Sequence, residues 1–177
     1  MGLERYKSNM STRGRSRGFS MIEALVALLV MGVGVLGVTG LQLVSLQNNQ
    51  AALMRGEAVQ FAYDIMDRIR MNEINDYDDV TIGGDPPNAP NCIANACSLG
   101  NMANFDLAIW KCSLGAHNEH AECTALRDAD VLPPVTEQPG LPNGDGSIEV
   151  EGRVVTVTIQ WTGFNDQLQE LVMNTRV

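Results

Sequence analysis

GFSMIEALVALLVMGVGVLGVTGLQL, residues 18–43, is the stretch on which the reading of this chain turns. From Phe19 to Leu41 it is apolar for about 23 residues, and at 1.5 Å of rise per residue a helix of that length crosses a hydrocarbon core. No charged residue occurs from Ala24 to Met54. Arg13, Arg15 and Arg17 stand just before the run, so that end stays in the cytoplasm by the positive-inside rule and the remainder crosses the membrane. A secretory signal has a shorter apolar core followed by a small-x-small cleavage site, and neither feature is present here. A plain signal anchor explains the run and the arginines. It does not explain Glu23, because an acid inside an apolar span costs at least a few kcal/mol and so marks a function.

Residues 1–18, MGLERYKSNMSTRGRSRG, form a basic leader, with Arg5 and Lys7 adding to the three arginines. A start at Met10 gives a shorter leader that is still basic. Read together, Gly18-Phe19-Ser20-Met21-Ile22-Glu23 resembles the cleavage and methylation motif of type IV pilins and type II secretion pseudopilins. That resemblance implies cutting after Gly18 by a prepilin peptidase and N-methylation of Phe19. It also implies that Glu23 is the assembly carboxylate. The chemistry is consistent: cleavage leaves an amine at Phe19, and a buried amine or carboxylate is costly unless paired. Glu23 of one subunit pairing with the Phe19 amine of its neighbour satisfies both and makes docking directional.

Beyond the span the helical pattern continues. Met54, Ala58, Phe61, Ile65 and Ile69 recur at steps of three or four, with Arg55, Glu57, Asp64, Asp67 and Arg68 on other faces. No proline interrupts Phe19 to Asp85, so a single helix from about residue 19 to about residue 72 is expected, ~80 Å long. Residues 76–98 read as an irregular surface loop, with Gly83-Gly84 and Pro86-Pro87. A short helix fits residues 98–113, with Met102, Phe105, Ile109 and Trp110 on or near one face. Residues 133–147 are rich in proline and glycine and read as loop. Val155, Val157, Ile159 and Trp161 alternate with Thr156, Thr158 and Gln160, the period of a half-buried strand. Gly163–Asp166 supply a turn, Leu168–Val177 a returning strand, and Ile148–Val150 a candidate first strand. The expected fold is α+β: a long N-terminal helix, membrane-spanning in its front half, packed on a small C-terminal antiparallel sheet. The expected division is a leader at 1–18, a span at 19–41, an amphipathic helix at 42–72 and a periplasmic domain at 73–177.

Asp106-x-x-x-Trp110, Leu141-Pro142-x-Gly144-x-Gly146-Ser147-Ile148 and a Thr/Val strand ending at Trp161 are similar to PilV-type minor pilins, as is GFSMIEALVAL. The stretch from Cys112 to Cys123 departs from that pattern.

Cys92, Cys97, Cys112 and Cys123 form an even, clustered set, which in an exported protein reads as two disulfides. Spacing leaves the three pairings open. Local closure favours Cys92–Cys97 with Cys112–Cys123, and the first resembles a spacing in related minor pilins. His117 and His120 lie between the second pair, but tight zinc spacing is missing and no metal is expected. Asn143-Gly144-Asp145-Gly146-Ser147 is like the first half of a calcium loop, yet its twelfth position is Val154 instead of a closing Glu; a Gly-rich turn is the simpler reading. Gly32-Val33-Gly34-Val35-Leu36-Gly37 spells a dinucleotide fingerprint, but no strand-helix-strand unit surrounds it, and no cofactor is expected. No nucleophile–base arrangement stands out. The chain carries a formal charge of −9, which argues against nucleic acid. The expectation is a non-catalytic minor pilin in the inner membrane and the pilus, helping to initiate assembly and supporting adhesion and twitching. Its partners would be the prepilin peptidase, other major and minor pilins and the inner-membrane assembly machinery. A type II secretion pseudopilin is the nearest rival, and a membrane-anchored periplasmic binding protein the rival of another class.

Overall fold

A computed structural model describes residues 18–72, 74–78 and 80–177; the leader expectations for residues 1–17, including the choice of start, lie outside them. The chain divides between Val44 and Ser45 into two compact units. Helix α1 runs Met21–Met71 without a break. Its apolar front half, with Glu23 as the one charged residue, belongs to the first unit. Every residue from Gly18 to Leu46 is exposed.

In the second unit α1 buries Ala58, Ala62, Ile65, Met66 and Ile69, the spacing of one helix face. Of the apolar positions expected there, Met54 and Phe61 are only partly buried, and Ala62 and Met66 take their place at the centre. Two alanines at i and i+4 remove side-chain bulk and let the helix sit close to its neighbours.

Those neighbours are helix α2 (Leu99–Leu114) and a three-stranded sheet of β1 (Asp145–Glu151), β2 (Val154–Thr162) and β3 (Leu168–Arg176). The sheet is an antiparallel meander in the order β1-β2-β3. β2 buries Val155, Val157, Ile159 and Trp161 on the inner face, so the alternation in the sequence is the alternation in space. β1 starts three residues earlier than Ile148, taking in Asp145, Gly146 and Ser147. The free edge of β1 is covered by the segment before α2: Ile148 N–H donates to the Val80 carbonyl, and Val150 N–H to Asp78 Oδ1.

α2 begins at an N-cap, where Ser98 accepts from the Asn101 N–H. It is buried on two sides instead of one. Ala103, Leu107, Trp110 and Leu114 join the main core; Phe105, Ala108 and Cys112 join a second cluster with Cys123, Leu126 and Leu132. The residues grouped on one face in the sequence are therefore shared out: Trp110 points one way, while Phe105, Met102 and Ile109 point the other. A helix for which the sequence pattern gave no expectation, α3 (Ala121–Asp128), supplies the second layer.

Two glycines explain close approaches. A Cβ on Gly146 would lie 2.5 Å from Trp110 Cη2, so glycine lets the indole approach β1 closely. Gly115 ends α2 at φ 123°, a left-handed value, and stands against the backbone of Leu141. The 139–144 loop is thereby clamped to the helix end, with Leu141 N–H donating to the Leu114 carbonyl and Ala116 N–H to that of Gly144.

Candidate functional site: the N-terminal apolar helix

Gly18, Phe19 and Ser20 precede α1 in non-helical conformation and are exposed. The Ser20 carbonyl accepts from the amides of Glu23 (3.0 Å) and Ala24 (3.2 Å), closing the first turn. Glu23 therefore sits in that first turn, where the helix dipole favours a negative charge. Its side chain is exposed and has no hydrogen-bond or ion-pair partner among the described residues. Around it Phe19, Met21, Ile22, Leu25 and Val26 are also exposed. The one hydroxyl deep in the run is satisfied locally, because Thr39 Oγ1 donates to the Val35 carbonyl. α1 is the one helix among the described residues long and apolar enough to cross a membrane, with a mean hydropathy of 2.4 over its most apolar window. Length and composition establish that much.

The mid-chain candidates resolve differently. Cys92 is bonded to Cys97, and Cys112 to Cys123. Their sulfurs are not available as ligands, and among the described residues no group of three or more His, Cys, Asp or Glu is placed to hold a metal. His120 caps α3, its Nδ1 accepting from the Glu122 N–H. His117 Nε2 lies 3.5 Å from Asp145 Oδ1. Arg127 bridges the second disulfide from within α3, donating to the carbonyls of Cys123 and Cys112 and to Asn118 Oδ1. Burial lowers its pKa from the ordinary value.

Two polar networks escape the sequence reading. Lys111, 1% exposed, reaches Asp145 Oδ1 at 2.5 Å and donates to the carbonyls of Thr81 and Gly146. The second Asp145 oxygen accepts from the Gly83 N–H. The carboxylate of the calcium-like stretch is thus spent on a buried lysine. In the second network, Asp106 accepts from Arg68 (2.8 Å) and from the Tyr77 hydroxyl (2.7 Å), while Arg68 also holds Asp64. Burial, and then the bond to Asp106, push the Tyr77 phenol well above its ordinary pKa. Desolvation works against the charge of Arg68, but its two carboxylate partners outweigh it and hold its pKa up. The signal for both networks was present as Asp106 and Lys111, the two charged residues of α2, standing among its apolar positions. Nothing in the sequence announced that Tyr77 would be buried beneath them.

A globular α+β domain whose polar groups are turned inward, carried on a helix with an exposed apolar front and an acid in its first turn, defines a class of anchored, assembling subunit. Residues 40–108 match the family model described as Type IV pilin Tt1218, and residues 13–39 match the prokaryotic N-terminal methylation motif. No curated protein and no solved structure matches the chain. The two matches adjoin on α1, and with the fold they support reading the chain as a type IV pilin subunit; the motif implies processing by prepilin peptidase, and together with the apolar helix it supports membrane anchoring.

Proposed function

We propose that this chain is a minor pilin of a type IV pilus, of the PilV type, cut after Gly18, N-methylated at Phe19 and inserted into the filament through α1. Before assembly it stands in the inner membrane with residues 73–177 in the periplasm, the arginines of the leader holding the other end in the cytoplasm. In assembly Glu23 pairs with the Phe19 amine of an adjoining subunit. It helps to initiate the filament alongside other pilins and the inner-membrane machinery, and so supports adhesion and twitching. The observation that carries this reading is Glu23 itself: a carboxylate with no partner among the described residues, on a helix whose surroundings are exposed and apolar. Such an acid is tolerated in lipid only when something outside the chain neutralises it. Trp110, Leu141, Ile148 and Trp161 of the PilV-like pattern share one core, with Gly146 close against Trp110, and this adds support for the PilV type.

Intact-mass and N-terminal sequencing of the protein from cell envelopes tests the processing. The expected product begins at N-methyl-Phe19; a product beginning upstream overturns it and favours the anchored binding protein. Identification of subunits that co-purify from sheared filaments tests the role, and secretion-system pseudopilins in place of pilins would reassign it.

A further inference from the structure

Lys111 on α2 and Asp145 on β1 stand 34 positions apart in the chain and meet with their side chains 1% and 8% exposed. Nζ makes three contacts, one for each of its protons: the Thr81 carbonyl at 2.9 Å, the Gly146 carbonyl at 3.1 Å and Asp145 Oδ1 at 2.5 Å. The two carboxylate oxygens are held differently. Oδ2 accepts from the Gly83 N–H at 2.6 Å. Oδ1 accepts from the Gly146 N–H at 2.7 Å and has His117 Nε2 3.5 Å away. That imidazole nitrogen is buried and has no hydrogen-bond partner among the described residues. An acid–base group thus stands idle beside a buried amine and a buried carboxyl.

Two charges kept from water are costly even when paired, and loss of water between them would remove both. Nζ, at 2.5 Å from Oδ1, lies within about 3.7 Å of Cγ, one C–O bond further on. Reacting atoms in a near-attack arrangement are ~3–3.5 Å apart, and groups fixed in that way reach effective concentrations of about 10⁵ M or more. A small turn of the carboxyl closes the remaining distance.

We propose that Lys111 and Asp145 condense to an amide between Nζ and Cγ. The ion pair is the state in which the fold forms, and condensation follows it. The ammonium passes one proton to Oδ1 along their hydrogen bond. Its other two N–H groups stay on the Thr81 and Gly146 carbonyls, and the freed lone pair faces the carboxyl. Nζ adds to Cγ, and the Gly83 N–H holds the negative charge that develops on Oδ2. His117 Nε2 takes a second proton from Nζ and returns it to Oδ1. The Cγ–Oδ1 bond then breaks and the carbonyl re-forms at Oδ2. Oδ1 leaves as water with two of the three protons, and the third remains on the amide nitrogen. No oxidant, metal or second reactant is consumed. The product ties α2 to β1 beside the Cys112–Cys123 bridge and, unlike that bridge, holds in reducing surroundings.

The test is mass spectrometry of the full chain purified from cell envelopes, reduced, alkylated and digested with trypsin, so the result is independent of processing at Gly18. Trypsin cuts after a free lysine. The condensed chain is expected to resist cutting at Lys111 and to yield residues 71–127 joined to residues 128–153, about 18 Da below the sum of the two peptides. Cutting after Lys111, with both peptides at their sequence masses, overturns the bond, and the parent alone decides this whether or not any variant folds. Water loss confined to 128–153, or persisting in Lys111→Arg, assigns it to ring closure at Asp145-Gly146 and overturns the bond as well. His117→Gln is expected to lower the joined fraction severalfold after equal growth; an undiminished fraction overturns the proton relay through His117.

Discussion

The two halves of α1 obey opposite rules. Up to Leu46 its apolar side chains are exposed and its single acid has no partner among the described residues; from Ala58 to Ile69 its apolar face is buried and its charges are spent inside the domain. Glycine shows the same contrast. Cβ atoms on Gly32, Gly34, Gly37 and Gly40 would meet nothing within 4 Å, whereas one on Gly146 would strike Trp110. The lesson is that the front half is unfinished by itself. Its residues have meaning toward lipid or other subunits, while those of the back half are explained within the chain.

Glu23→Gln should break the comparison most visibly. The variant is expected to be cleaved and to fold, with the domain's melting temperature unchanged. Its amount in sheared filaments should fall tenfold or more, since leaving one member of a buried charge pair alone costs ~3–5 kcal/mol and about 1.4 kcal/mol is already a factor of ten. Quantitative immunoblotting of sheared against membrane fractions reads this; equal incorporation would remove Glu23 from assembly.

Lys111→Ala is the mirror experiment, an unpartnered acid created inside the domain. Asp145 would keep its backbone donors but lose its buried cation, and unfolding free energy in urea should drop by roughly 3–5 kcal/mol. Leader cleavage occurs at the other end of the chain and should proceed at the normal rate if the mutant domain is not degraded. A loss under 1 kcal/mol would mean that water reaches Asp145 readily.

A paired glycine experiment sharpens the contrast at a smaller scale. Gly146→Ala must displace either the Trp110 ring or β1 and should cost ~1–3 kcal/mol, as overpacking does. Gly34→Ala should leave the domain's unfolding free energy unchanged and add helix propensity, about 1 kcal/mol, in the front half. Equal effects on the domain would show that Trp110 has room to move.

How much of this was legible depended on whether a residue's role is local. The motif from Gly18 to Glu23, the helix and the Val155–Trp161 alternation are periodic or contiguous, and periodicity survives in a bare sequence. The start of β1 was hidden because Asp145-Gly146-Ser147 has turn composition; it joins the sheet because Lys111 and Trp110 claim Asp145 and Gly146 from across the core. α3 was hidden by its short, polar sequence, and it stands on the Cys112–Cys123 bond, whose second cysteine it carries, and on a second layer of packing. The long-range bonds of the polar networks join residues 29 to 62 positions apart, a separation that no local pattern encodes.

Tyr77 gives the smallest effect and the finest discrimination between the two halves. Its hydroxyl donates to Asp106, which Arg68 also holds, and accepts a longer bond from Asn72 Nδ2, so Tyr77→Phe removes both while Asp106 keeps Arg68 and Asn72 keeps the Leu99 carbonyl. The expected loss is about 1 kcal/mol, the ordinary worth of a buried hydrogen bond and toward the upper end because the acceptor is charged. Alkaline pH should produce a related loss without mutation. The phenol's pKa is raised in the folded chain above its unfolded value near 10, so the unfolded state gives up its proton first. Above that pH the folded state binds more protons than the unfolded one, and stability falls as pH rises. The contribution is therefore complete below pH ~10 and declines by up to about 1.4 kcal/mol per unit above it, as the pH climbs toward the folded value. Urea unfolding at a series of pH values should show this steepening in the parent and a shallower slope in Tyr77→Phe, where the phenol is gone. Parallel slopes in the two proteins would mean that the Tyr77 hydroxyl is open to water and the network beneath α1 is looser than its geometry.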